Sequence, residues 1–283
     1  MTEKTLENRP GLTIIVVTYR RMEALYASLD ALLSQDLRGV RCELIVVNND
    51  PEAQLRPSRW TKLGRLFRVN SHIKLVNTRN DWMSIIRYGM VFMAEFDTVL
   101  TLDDDIIFMD QDIVCDMYQT LMGLQGHDIV SSWNTIWTKW TATELHYASA
   151  SFWMPELTHL TKTDTCGSGI SMFNKDLICG SDGWRYLLPR DNLATSDMAL
   201  GLLSNLLWNG TTYAMPMFGR VDFHREFQKN ALHRKPDFYA SRLAMYKQML
   251  NHGYKPVITR EPYADDSPET LLIRQQEPKV RGW

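Results

Sequence analysis

The chain has 283 residues, 45% of them hydrophobic, and a formal net charge of -2. That is enough apolar material for one large domain or two intimately packed halves, and there is no basic excess of the kind that selects a nucleic-acid partner. The four cysteines, Cys42, Cys115, Cys166 and Cys179, form no CxxC pair and no metal-ligand spacing, which points to reduced thiols in a cytoplasmic protein.

The opening MTEKTLENRPG lacks the basic start and apolar stretch of a signal peptide. No apolar run approaches the roughly 18–20 residues that span a bilayer, so no transmembrane segment is expected, although peripheral membrane contact stays open. LTIIVVTY (12–19) is β-branched and apolar, as a strand covered on both faces would be. Residues 21–35 follow with Met22, Leu25, Leu29 and Leu32 at helical spacing. ELIVVN (43–48), IKLVN (73–77) and TVLTL (98–102) read as further strands, and DWMSIIRYGMVFMAEF (81–96) as a helix capped by Asn80. This alternation predicts right-handed βαβ units and a mostly parallel α/β sheet.

The second half is richer in Trp, Met and Gly. DIVSSW (128–133) and SGISMF (168–173) read as strands. SDMALGLLSNLLWNG (196–210) reads as a helix with Ser196 as cap and Gly210 as stop, and 235–253 as another with Pro236 in its first turn. The stretch 261–283 reads as a charged, proline-bearing tail.

Asp103, Asp104 and Asp105 begin where the fourth strand ends, the edge at which parallel α/β sheets bind ligands. Three adjacent carboxylates repel one another and need a partner. A hard divalent cation, Mg2+ or Mn2+, takes one or two such oxygens and the rest from phosphates and water. The plainer alternative is a set of acids at a helix N-terminus, favoured by its dipole. An EF-hand loop is excluded by spacing.

At this point the residues resemble a family. VVTYRRMEALYASL (16–29), ELIVVNND (43–50) and LTLDDDIIF (100–108) look like the nucleotide-sugar half of a GT-A glycosyltransferase. GSGISMFNK (167–175) and SDMALGLL (196–203) resemble the exostosin-like α-N-acetylhexosaminyltransferases of family 64, with the inverting family 2 next nearest. The resemblance covers roughly residues 12–245 and implies one GT-A domain, with a donor-binding half at 12–110 and an acceptor-binding half at 111–260. It implies a nucleotide-diphospho-sugar donor (most often a UDP-sugar), a divalent metal, and a saccharide or glycolipid acceptor.

Carried over residue by residue, the resemblance places Asp103 at the ribose, Asp104 near the donor sugar and Asp105 on the metal. Thr18, Tyr19 and Arg20 would hold base and ribose, with Asp50 near the base. Arg87 would face the diphosphate, and Arg79 is an equally good candidate; guanidinium fits phosphate oxygens in a fork. His224 is a candidate metal ligand, and His233 and Arg234 are candidates for the leaving diphosphate. Asp197 is the expected catalytic carboxylate, with Asp191 as fallback; helix capping is its structural alternative. Family 64 implies retention of configuration, and family 2 implies inversion with Asp197 as general base. Trp133, Trp137, Trp140 and Trp153 are candidates for stacking on acceptor sugars, although 133, 137 and 140 also have helical spacing. Two other readings are a sugar nucleotidyltransferase, disfavoured because TYRRMEA has no glycine, and a non-catalytic nucleotide- or sugar-binding module.

Overall fold

Four apolar runs form four parallel strands, as their two-sided hydrophobicity dictates. The structure is a computed structural model that describes residues 11–52, 54–55, 71–140, 145–167, 169–180, 196–224 and 238–257. Strand β1 (Gly11–Thr18) lies between β2 (Arg41–Asn48) and β4 (Thr98–Asp103), and β3 (Ser71–Asn77) flanks β2. Helix α1 (Met22–Leu33) crosses between β1 and β2. Leu12, Ile14 and Val16 pack with Leu25, Leu29 and Leu32 of α1 on one face of the sheet. Ile15 and Val17 join Ile85, Tyr88 and Met198 on the other. Both faces are covered, which is why every residue of β1 is buried.

The chain continues through β5 (Ile106–Phe108), α2 (Ile113–Gly123), β6 (Ile129–Ser131), β7 (Trp133–Trp140), β8 (Leu145–Ser151), β9 (Thr161–Thr163), β10 (Thr165–Cys166) and β11 (Ile170–Asn174). It then forms α3 (Ser196–Trp208), β12 (Thr212–Ala214), β13 (Val221–Phe223) and α4 (Phe238–Asn251). The main sheet runs in the order β3-β2-β1-β4-β11-β6-β12-β9. Strand β11 is antiparallel to both β4 and β6. Strands β10, β7 and β8 form a second sheet, and β13 pairs with β5.

Several sequence expectations are corrected. Residues 81–96 do not form one helix; they form a 3-10 turn (Met83–Ile85), an α turn (Ile86–Gly89) and a second 3-10 turn (Met90–Met93). Asn80 caps nothing. Asp81 Oδ1 accepts the Met83 N–H at 2.8 Å and Asn49 Oδ1 accepts that of Trp82 at 3.0 Å, so side chains compete with the helical ladder at its start. Gly89 weakens its middle. The strand expected at 128–133 ends at Ser131, and the tryptophans at helical spacing lie on β7, paired across to β8.

Helix α3 begins with Ser196 as its own first residue rather than after it, and its left-handed stop is Asn209 (φ 53), not Gly210. Gly210 serves close packing instead: a Cβ there would strike the carbonyl of His127 and the Ser204 hydroxyl. The expectations at Asp191, Pro236 and 261–283 lie outside the described residues.

Buried Asp164 fastens the second sheet to the end of α4. It accepts hydrogen bonds from the Trp137 N–H (2.7 Å), the Tyr254 hydroxyl (3.0 Å) and the Val257 N–H (2.8 Å). Asp164→Ala leaves those donors unsatisfied, and a urea denaturation curve should show a loss of about 3 kcal/mol.

Candidate active site

Because β1 and β4 are parallel neighbours with Val17 opposite Asp103, the chain leaving β1 runs beside the chain leaving β4. The residues after Thr18 and the acidic triplet therefore meet at one edge. Arg20 takes a left-handed backbone conformation (φ 58), and the two consecutive arginines diverge. Arg20 turns outward, donating to Asp50 at 3.3 Å and to Glu52 at 2.6 Å, with its guanidinium 5.1 Å from the Tyr19 ring centroid. Arg21 turns onto the triplet: its Nη1 donates to Asp105 at 2.6 Å, its Nε to Asp104 at 3.2 Å, and it is ion-paired with Asp104. Buried Arg87 donates to Asp103 at 2.6 Å and to the Ser84 carbonyl at 3.1 Å.

The chain itself thus supplies cations to the aspartates. Sequence reasoning gave that task to a metal and overlooked Arg21. Among the described residues, the three carboxylates face two guanidiniums. Asp104 is fully buried, and that burial pushes its carboxyl up to about 7 although Arg21 pulls the other way. Burial and then the repulsion of Asp103 also raise Asp105, against Arg21. Burial opposes the charge on Arg87, but Asp103 and, farther off, Asp197 outweigh it and hold the guanidinium above its ordinary value.

The field of Asp197 therefore reaches Arg87. Asp197 sits in the first turn of α3, 7% exposed; its Oδ2 lies 3.4 Å from Arg242 Nη1, and its buried Oδ1 has no hydrogen-bond partner among the described residues. The Cys166 thiol donates to its backbone carbonyl at 3.4 Å. His224 is brought to the triplet through the backbone, giving its N–H to the Asp105 carbonyl at 2.7 Å.

No protein-family model matches the chain, and no curated protein matches it. Solved structures do. Mannosyltransferase PcManGT from Pyrobaculum calidifontis, in complex with GDP-Man and Mn2+, superposes with a TM-score of 0.57 at 16% identity, over 93% of this chain and 70% of that one. S. aureus TarS gives a TM-score of 0.55 at 13% identity over 96% of this chain, which spans 44% of TarS. TarS 1-349 in complex with UDP-GlcNAc gives 0.53 at 13% identity, over 87% and 68%.

This chain has a GT-A fold.

Within the GT-A sheet, Thr18 closes β1, buried, and Tyr19 and Arg20 follow it. Asp50, also buried, follows β2, with its Oδ1 accepting the Glu52 N–H at 3.0 Å. Asp103, Asp104, Asp105, Arg87 and His224 assemble with Arg21 at the carboxyl edge of the strands. Arg79 does not join them: it is exposed in the turn after β3 and makes no ion pair among the described residues. His233 and Arg234 lie outside the described residues. The legible signal for Arg21 was the pair RR directly after a strand whose neighbour ends in acids.

The carboxylates at this GT-A edge are oxygen donors of the kind a hard divalent cation takes, and each is held by Arg21 or Arg87. Asp103 and Asp105 are the partly exposed members of the triplet, at 28% and 24%. Among the described residues no three side chains form a complete metal cage, so a metal there would complete its shell from phosphate and water, as Mg2+ and Mn2+ commonly do.

Proposed function

We propose that the protein is a glycosyltransferase that moves a sugar from a nucleotide-diphospho-sugar to a hydroxyl acceptor. The observation that carries this is the acid–arginine cluster at the carboxyl edge of a GT-A sheet, together with buried Asp197, whose Oδ1 has no hydrogen-bond partner among the described residues. Tyr19, Arg20 and Asp50 form the base-and-ribose end of the site. Asp103 would face the ribose, and Asp105 would hold Mn2+ or Mg2+, which when bound offsets the charge of the diphosphate. Arg87 orients Asp103, and Arg21 keeps Asp104 and Asp105 apart from each other's charge until donor arrives. The donor is read as a UDP-sugar from the family resemblance; the similar structures contain UDP-GlcNAc in one case and GDP-Man with Mn2+ in another.

The resemblance of residues 167–175 and 196–203 to family 64 favours transfer with retention. One observation favours a second course, inversion: Asp197 Oδ1 accepts no hydrogen bond among the described residues and is therefore free to accept the acceptor proton as general base. Thermal unfolding with UDP-, GDP- and dTDP-sugars, each with Mn2+, tests the reading, because a ligand that binds only the folded state raises the melting temperature. One donor class should stabilise the protein, and proton NMR of the product should show an α-linkage from an α-linked donor. No stabilisation by any of them would reject the donor reading; a β-linked product would select inversion. Stabilisation with no turnover on any acceptor would instead select a binding module.

A further inference from the structure

The tryptophans grouped in the sequence divide in the structure. Trp137 is core: it is 1% exposed and packs edge-on against Tyr246 (4.9 Å) and Tyr254 (5.3 Å). Trp133 and Trp153 each keep 43% of their surface exposed and meet edge to face with ring centroids 4.8 Å apart. Phe152 backs Trp153 at 5.0 Å, and Phe223 backs Phe152 at 6.3 Å.

This aromatic corner belongs to the same edge as the triplet. Asp103 gives its N–H to Gly169 at 2.9 Å, and Ser132 gives its own to Ile170 at 3.3 Å. Strand β11 pairs Ile170 with Leu102 on one side and Ser171 with Ser131 on the other. Beyond β6 the chain passes into the second sheet, where Asn134 pairs with Cys166 and Trp133 lies against Gly167. Phe223 ties the other side of the corner to the triplet, since the next residue, His224, bonds the Asp105 carbonyl. Gly167 passes so close beneath Trp133 that a Cβ would strike the Trp133 carbonyl, which holds the indole at this rim.

We infer that Trp133 and Trp153 form the stacking platform for a pyranose ring of the acceptor, a neutral saccharide. The inference rests on the donor reading above. A pyranose presents one face of C–H groups to an indole and hydroxyls at its rim, so it covers two aromatic rings without bringing a charge toward the acids. A patch of two indoles is smaller than those that dock proteins.

A microarray of neutral oligosaccharides (gluco-, manno- and N-acetylglucosamine series), probed with UDP or GDP and Mn2+ present, tests it. The wild type should capture at least one series, and the Trp133→Ala/Trp153→Ala double variant should lose that capture by tenfold or more. The Phe/Phe variant at the same positions should keep most of it, because a phenyl face still stacks. Nucleotide-dependent thermal stabilisation is read on the same proteins and should be unchanged. Undiminished capture by the alanine variant, or no capture by the wild type, overturns the platform. A wild type that captures glycan but is not stabilised by nucleotide fails the donor reading alone.

Discussion

An Asp197→Asn protein should turn over at least about 100-fold more slowly than the wild type while binding donor equally well, since positioned proton transfer contributes on that scale or more. Asparagine preserves the size of the side chain and an oxygen for Arg242, so the start of α3 is undisturbed. What it removes is the negative charge and the proton-accepting oxygen, which in the wild type is buried without a hydrogen-bond partner among the described residues. Stopped-time product assays give the rate, and calorimetry with the nucleotide gives the affinity. A normal rate would remove Asp197 from the chemistry and return it to the role of a charge at a helix N-terminus.

The second large effect belongs to Asp105. Asp105→Ala should weaken Mn2+-dependent nucleotide binding by about 100-fold or more, the upper end of what losing even an outer-shell metal partner costs. The backbone bond from His224 to residue 105 does not need the carboxylate, and Arg21 keeps its pairing with Asp104, so the edge should stay folded. Removing the metal from the wild type with EDTA should give the same weak binding. Calorimetry showing equal affinity with and without Mn2+, in both proteins, would reject the metal site and leave Arg21 and Arg87 as the cations of the triplet.

Much of the donor-side architecture was legible because it is written in local pattern. The runs at 12–19, 43–48 and 98–102 are too apolar to face water on either side, the run at 73–77 is the partly exposed edge beside them, and each is a parallel strand of the sheet. The place of the triplet at a strand end followed from the same pattern. Four other features depend on contacts made at a distance. The segment 81–96 has helical periodicity, but Asn49, thirty-odd residues earlier, takes the Trp82 N–H and helps turn its start. Trp133 and Trp137 are a strand because β8 and β10 pair with them, which spacing alone cannot reveal. Arg21 escaped notice because its role depends on β1 and β4 being neighbours; once that adjacency is granted, a basic residue after one strand and acids after the other must meet. Asp164 is likewise silent in sequence, since its partners lie about Trp137 and Tyr254.

Strand β11 stands between β4 and β6, so a strand from the far side of the chain completes the sheet begun by the first hundred residues. A truncated protein ending near residue 110 would present β4 with one whole flank of amide and carbonyl groups unpaired along an apolar strand. Such a flank recruits other chains, and the fragment should aggregate rather than fold as a free-standing nucleotide binder. The first hundred residues and the strand that completes their sheet therefore fold only as one piece.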